Sequence, residues 1–445
     1  MTKIKLKVLF VVGFVIFGVC CFLNTQGTCV ENANSPGCTN TNTNTSETPP
    51  PPPGACNASS IWVSSPSLPP EIPNNGPTLC EFHQFSWMTF LALMNPPSAG
   101  ADREFQNEKN YPLLQAKGTD SCAKNTNQSR LFIRNTKDDD GPGDDFVLPE
   151  DIKQAGGGAI LYDQNGNVVF YEVRFSISEC TQDPAKTQFT DPNTTEIKVS
   201  YRVITEADKP NYVWINADIN GDGTTGANEL LGMVGFHLVK STPLHPEFIW
   251  ATFEHKSNVP ECQANPDPNA KWSFTSAQCA GQLPNSVNAQ ECNFNIPPVP
   301  PNPVIAGGPP TPVCRVYHDG SMKGDNQFDA NVADIDMLNT QLVGPSGFIT
   351  ALNASNPLAV LKNYMLVGAL WESDITQPSS NLANQRGSIQ IANTTMETTF
   401  QMAPNFTPVA YTGTSNLQPA TNCFACHGYV PNNNVAQSHI FTSIK

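Results

Sequence analysis

Residues 159–175 read AILYDQNGNVVFYEVRF, and this stretch decides the fold class. Two apolar runs, Ala159–Tyr162 and Val168–Phe175, flank Asp163-Gln164-Asn165-Gly166-Asn167. Val, Ile, Phe and Tyr suit a pleated, half-buried surface, and an Asn-Gly pair accepts the left-handed backbone that a tight reversal needs. The stretch reads as a β-hairpin. Outward from it, further strands are expected at Ile197–Val203, Tyr212–Asn216, Gly232–Val239, Glu247–Glu254, Val313–Tyr317 and Tyr364–Trp371. Forty prolines, thirty glycines and 14% charged residues in 445 argue against a helical bundle and for strands joined by long loops. One helix stands out, over Thr78–Met94. Thr78 and Glu81 have capping-box spacing, apolar residues recur at helical intervals, and Asn95-Pro96-Pro97 stops it. His83 on this helix is expected in the core or at its boundary. The expected class is mainly β with a few helices (α+β).

Composition also sets the domain boundaries. Lys3, Lys5 and Lys7 precede an apolar run from Val8 to Leu23, the pattern of an export signal. Cleavage after Gly27, retention as an N-terminal anchor, or lipidation at Cys20 or Cys21 are the alternatives for residues 1–27. Residues 28–60 alternate Thr and Asn and then run through Pro49–Pro53, a composition that buries no core and reads as a linker. Residues 61–392 form the expected strand-rich body, and residues 393–445 a C-terminal segment. Fourteen cysteines in an exported chain point to disulfides. Ten remain outside the leader and the C-terminal pair, and Cys262–Cys279 and Cys292–Cys314 are the simplest neighbour pairings. Net charge is −15, with Lys and Arg scattered. Nucleic acid is not an expected partner, and a membrane is expected only through the N-terminal anchor.

The most specific motif lies near the C-terminus: Cys423-Phe424-Ala425-Cys426-His427. Two thiols at this spacing, followed at once by an imidazole, are the attachment pattern of c-type haem. The thiols add across the vinyl groups, one helical turn spans the porphyrin edge, and the histidine reaches the iron. No βαβ pattern surrounds the pair, as a redox CxxC would want, and only His439 lies close enough to help a zinc site. One covalent haem is therefore expected, held by Cys423 and Cys426 and ligated by His427.

No Met follows His427, so any sixth ligand must come from upstream, from His439, or be absent. Met396 and Met402 are near in sequence. His237, His245 and His255 cluster along two strands that can form a hairpin. His255, with Glu254 beside it as an orienting group or proton relay, is the single distal-side choice. His318 reads as part of a turn. A second cofactor is expected at Asp218, Asn220, Asp222, Thr224 and Glu229, which match the ligand spacing of a calcium loop, with Gly223 at the turn. Tyr212–Ile215 ahead of it reads as strand, so the loop would be structural. The acidic run Asp138–Asp140 with Asp144 and Asp145 is expected to be a solvated loop.

The late CxxCH resembles that of cytochrome c-prime, a helical bundle, and that of β-rich cytochromes whose haem carries an extra lysine crosslink. The strand-rich body makes the second comparison closer, with no crosslink carried over. More widely, Phe90-Leu91-Ala92-Leu93, Trp250-Ala251-Thr252-Phe253-Glu254-His255 and the stretch from Asn393 to Glu397 resemble segments of exported bacterial proteins of the cytochrome c family. The resemblance implies a monohaem protein and supplies no reaction. The expected function is electron transfer by a periplasmic or envelope-associated protein, with a redox partner protein or a small-molecule substrate as its partner. The alternatives are a peroxidase-like or small-molecule-oxidising haem oxidoreductase and a non-catalytic haem sensor.

Overall fold

The computed structural model describes residues 56–115, 120–123, 133–134, 160–217, 219, 226, 229–263, 269–281, 283, 292–296, 308–321, 326–401, 422–441 and 444. The leader, most of the linker, the acidic run at 138–145, Met402 and all of the calcium loop's ligands except Glu229 lie outside them. Among the described residues, no helix is long and apolar enough to cross a membrane.

The chain is mainly β with a few helices. Its strands are β1 (Ile133–Arg134), β2 (Phe170–Phe175), β3 (Thr195–Ile204), β4 (Trp214–Asn216), β5 (Leu230–Lys240), β6 (Ile249–His255), β7 (Tyr364–Glu372) and β8 (Gln385–Gly387). They make one eight-stranded sheet in the order β1-β2-β3-β5-β6-β7-β8, with β4 paired to β5 beyond the end of β6. Every pairing is antiparallel. The helices are α1 (Ile61–Ser64), α2 (Leu79–Met94), α3 (Ala277–Ala280), α4 (Phe328–Val343) and α5 (Cys423–Cys426).

The hairpin that decided the class is present. Asp163 N–H donates to Asn167 O, Gly166 takes φ +78°, and Tyr162 bridges Val168 before β2 sets in. β6 begins at Ile249 rather than Glu247, because Phe248 has φ +64° and cannot extend the strand. Val313–Tyr317 is not a strand. It contributes one parallel bridge, Arg315 to Glu261.

That bridge also corrects the disulfide pairing. Cys262 N–H donates to Arg315 O at 2.8 Å, which sets Cys262 beside Cys314. The bonds are Cys262–Cys314 with Cys279–Cys292 nested inside, plus Cys56–Cys80 and Cys122–Cys180. Neighbour pairing fails here because a contact between distant segments brings the first and last of the four together.

The sheet separates two unlike faces. Cross-strand rows such as Val199–Phe236–Phe253 face α2 and α4 in the main core. α2 starts on the expected capping box, with Glu81 Oε2 accepting from Thr78 N–H at 3.0 Å. It is buried nearly all round. Phe90 stacks on Phe253 with ring centres 3.9 Å apart, and Phe82 on Trp371 at 4.0 Å. His83 lies in this core as expected: its Nε2 pairs with Asn331 Oδ1 at 2.7 Å, and burial lowers its pKa to about 4. α4, which supplies Asn331, was not expected from the sequence. The opposite face carries Glu196 and Lys198 on β3, His237 and Val239 on β5, and Trp250 and Thr252 on β6. In register these form two rows, Lys198–His237–Thr252 and Glu196–Val239–Trp250. The C-terminal residues cover this second face.

Candidate functional site

The site is built where α5 meets the second face. Asn422 caps α5: its Oδ1 accepts from Phe424 N–H, while its Nδ2 donates to Gln385 Oε1 at 2.7 Å and to Ile389 O at 3.0 Å. One side chain thus starts the turn and fixes it to β8. Phe424 packs into an apolar cluster with Trp250, Ile389, Ile391 and Tyr429. Cys423 and Cys426 lie on the turn, and among the described cysteines only these two are outside a disulfide. Cys426 is exposed and Cys423 half-buried. Burial pushes both thiols above their ordinary pKa.

His427 is held on three sides. Its Nδ1–H donates to Gln437 O at 2.8 Å, and the Gln437 amide returns a bond to His427 O at 3.3 Å and another to Glu247 O at 2.9 Å. The ring lies beside Trp250, with centres 4.6 Å apart, and beside His439 at 4.2 Å. Burial, reinforced by His439, holds its pKa near 3, so the imidazole is neutral. With Nδ1 committed as donor, Nε2 keeps its lone pair, as a metal-ligating imidazole requires.

Cys423, Cys426, His427 and His439 line a cavity of about 470 Å³ whose other wall is the second sheet face. That volume is in the range of about 300–1,000 Å³ usual for cofactor and small-molecule sites. The apolar lining includes Val173, Val239, Ile391, Phe400 and Ile440. The polar lining is Glu196, Lys198, His237, Thr252 and Glu397. His237 Nε2 pairs with Glu397 Oε1 at 2.8 Å, and Glu397 Oε2 accepts from Asn393 N–H at 2.8 Å. Burial alone would raise the Glu397 pKa, but His237 and Lys198 hold it below the usual value. Burial lowers Lys198 to about 8 and raises Glu196 to about 7. The Trp250 ring contributes to the cavity wall, and its indole N–H is buried with no hydrogen-bond partner.

The Asn393–Glu397 stretch places Glu397. It folds as a turn in which Glu397 N–H reaches Asn393 O at 2.8 Å, and a short 3-10 turn, Thr398–Gln401, follows. Asn393 Nδ2 bonds Thr252 Oγ1 at 2.8 Å. Thr394 N–H donates to Glu254 Oε1 at 2.7 Å, while Arg315 grips both Glu254 oxygens at 3.2 and 3.0 Å.

Other sequence-predicted residues lie elsewhere. β5 and β6 do form the expected hairpin, but its register sets His237 opposite Thr252, three residues short of His255. His255 does not line the cavity. It is buried against Tyr212 and Tyr364, and its Nε2–H donates to Asn211 O at 3.0 Å. Glu254 is occupied by Arg315 and Thr394. His255 and Glu254, the distal-side choice from the sequence, are thus not brought to the cavity that His427 lines; His237 is the strand histidine on its wall. His245 pairs with Glu247 at 2.8 Å, away from the cavity. Met396 does not itself line the cavity; it is buried in an apolar cluster that includes Val173 and Ile440 of the cavity wall. His439 lines the cavity but does not face His427 across it. Two imidazoles bound to one metal through bonds of about 2 Å have ring centres roughly 6 Å apart, whereas these lie at 4.2 Å. Glu229 closes a turn by accepting from Gly226 N–H at 2.5 Å. The remaining calcium-loop ligands, Asp218, Asn220, Asp222 and Thr224, are outside the described residues.

Glu196, Lys198, Trp250 and Glu397 were not singled out as site residues from the sequence. The available signal was the alternation in β3, where polar 196, 198, 200 and 202 interleave with apolar 197, 199, 201 and 203. No protein-family model, no curated protein and no solved structure matches this chain.

Proposed function

We propose that the chain is an exported c-type cytochrome that carries one covalent haem in the cavity under α5 and acts in electron transfer. The observation that carries this reading is the state of His427: neutral, with Nδ1–H bonded to Gln437 O at 2.8 Å and beside two unpaired thiols at the mouth of a cavity. The residues fit the group. Cys423 and Cys426 would hold it, His427 would ligate the iron, and Val173, Val239, Trp250, Ile391 and Ile440 supply an apolar wall. Haem supplies a one-electron redox centre. The protein sets the tautomer of His427 through Gln437, fixes its ring beside Trp250, and keeps water from the apolar part of the wall. Cys426 is exposed, which suits an electron path through that edge to a partner. The lysine-led apolar run at the N-terminus and four disulfides support an oxidising, extracytoplasmic setting.

One observation favours a second reading. The wall carries Lys198 and the His237–Glu397 pair, groups able to move protons on a small ligand. A haem oxidoreductase acting on a small molecule would use them.

The test is expression with a c-type maturation system, then intact mass and optical and EPR spectra, ferric and ferrous, with and without CO. A mass increase of one haem that disappears in Cys423→Ala/Cys426→Ala is expected, and a protein with no covalent haem would sink the proposal. A low-spin spectrum indifferent to CO supports the carrier, and a high-spin spectrum with ready CO binding supports the oxidoreductase.

A further inference from the structure

Away from the cavity, three segments converge on His318. The 3-10 turn His318–Gly320 follows the bridge segment, Asp336 projects from the middle of α4, and Glu261 lies at the bridge. His318 Nε2 lies 3.2 Å from Asp319 Oδ2 and 3.6 Å from Asp336 Oδ1. One ligand atom from each of His318, Asp319 and Asp336 lies within 4.8 Å of the others. Metal bonds of about 2.0–2.2 Å in a tetrahedron put neighbouring ligand atoms roughly 3.3–3.6 Å apart, so the two histidine–carboxylate spacings match without rebuilding the backbone.

A second observation points to a ligand here. The Asp319 side chain is 9% exposed, yet its Oδ2 takes part in no hydrogen bond; the His318 nitrogen is near but not aligned. A carboxylate oxygen buried without a donor is costly, and this one is turned into the cluster. The charge balance agrees. Arg315 is ion-paired to Glu254 and Glu261, and Asp319 and Asp336 share the His318 imidazole as an ion-pair partner. The other ring nitrogen, Nδ1, lies 3.8 Å from Glu261 Oε1. A carboxylate behind the ligating histidine is the usual outer-shell support of a metal-bound imidazole.

We propose that His318, Asp319 and Asp336 form a binding site for a divalent transition-metal ion of the Zn²⁺ type, with Glu261 orienting the imidazole. One nitrogen and two carboxylate oxygens suit Zn²⁺, whereas Ca²⁺ prefers an all-oxygen shell. Three protein ligands leave a fourth position for water. The ion joins the α4 helix to the disulfide-linked segment that carries Arg315.

The test is calorimetric titration of the chelator-treated full-length protein with Zn²⁺, with Ca²⁺ as control. One equivalent of Zn²⁺ should bind, and Ca²⁺ should not replace it. His318→Ala and Asp336→Asn, both at half-exposed or exposed positions that the fold tolerates, should each remove that equivalent. Glu261→Gln should weaken it by about 10–100-fold. Because neither substitution touches the cavity, the optical spectrum should not change. No uptake, or uptake that survives both substitutions, would overturn the site and leave an ion-pair cluster only. Zn²⁺ held by Cys423 and Cys426 in unmatured protein falls in that surviving class, so failure of the haem reading cannot be mistaken for success here.

Discussion

His255 has both ring nitrogens occupied in the neutral form. Nε2–H donates to Asn211 O at 3.0 Å, and Nδ1 accepts from Ser257 N–H at 3.2 Å. Protonation breaks the second bond and places a charge in a buried site, so burial lowers the pKa from 6.5 to about 4. The folded-state pKa is below the unfolded one. The stabilisation is therefore full above about pH 6.5 and is lost as pH falls towards 4, by roughly 3 kcal/mol at about 1.4 kcal/mol per unit. His255→Gln cannot titrate. It should be less stable than the parent at pH 7, and the deficit should shrink by that order at pH 4.5 in urea unfolding. A deficit independent of pH would show that His255 is not held neutral. The two strand histidines should also separate spectroscopically in haem-loaded protein. His237→Ala should shift the ferric spectrum or its response to small ligands, because His237 is on the cavity wall. His255→Ala should leave both unchanged.

At the level of elements, Glu254 ties three segments of the fold together. This carboxylate, buried on β6, accepts both Arg315 nitrogens and the Thr394 N–H, and so joins the sheet, the disulfide-linked segment and the turn that presents Glu397. Glu254→Gln leaves the buried Arg315 charge with Glu261 alone, and breaking such a pair from one side typically costs about 3–5 kcal/mol. The urea midpoint should fall with an unchanged slope. Contacts between the turn and β6 should weaken, read as faster amide exchange at 394–397. Sequence reading caught the elements whose signal is local. The Asn-Gly reversal, the capping box of α2 and the apolar runs of β2, β3, β5, β6 and β7 carry their instructions within a few residues. It missed what depends on distant partners. α4 keeps only a thin stripe, Ile335, Leu338 and Leu342, among Asp and Asn residues, one of which, Asn331, is buried against His83. The alternation of β3 looks the same whether its polar edge meets water or, as here, a cavity closed by residues 200 positions later. The sequence favoured His255, for the Glu254 beside it, over His237, and only the pairing register shows that His237 is the one on the wall. The CxxCH could be picked out as a motif because its spacing is local, and the structure keeps its two thiols and His427 together on one short turn.

For the whole molecule, the sheet holds two cores of different origin. On one face α2 and α4 close an aromatic-rich core that needs nothing further. On the other, residues 422–441 are fixed at the rim by Asn422, Asn434 and Gln437, each bonded to the body, while the space between rim and sheet is the cavity. On the haem reading this second core is complete only with the cofactor inside it. Local opening free energies follow how much packing each segment makes, so the two faces should respond differently when attachment is blocked. In Cys423→Ala/Cys426→Ala protein, amides of residues 423–441 should exchange at least about tenfold faster than in the matured protein, and those of α2 and α4 should be unchanged. Hydrogen exchange read by mass spectrometry resolves the two regions directly. Faster exchange on both faces would mean that the faces unfold as one unit and that the helix-side core depends on the cofactor. Unchanged exchange on both would mean that Phe424, Tyr429 and the rim bonds suffice to hold the C-terminal segment, and that the cavity is preformed to receive its ligand.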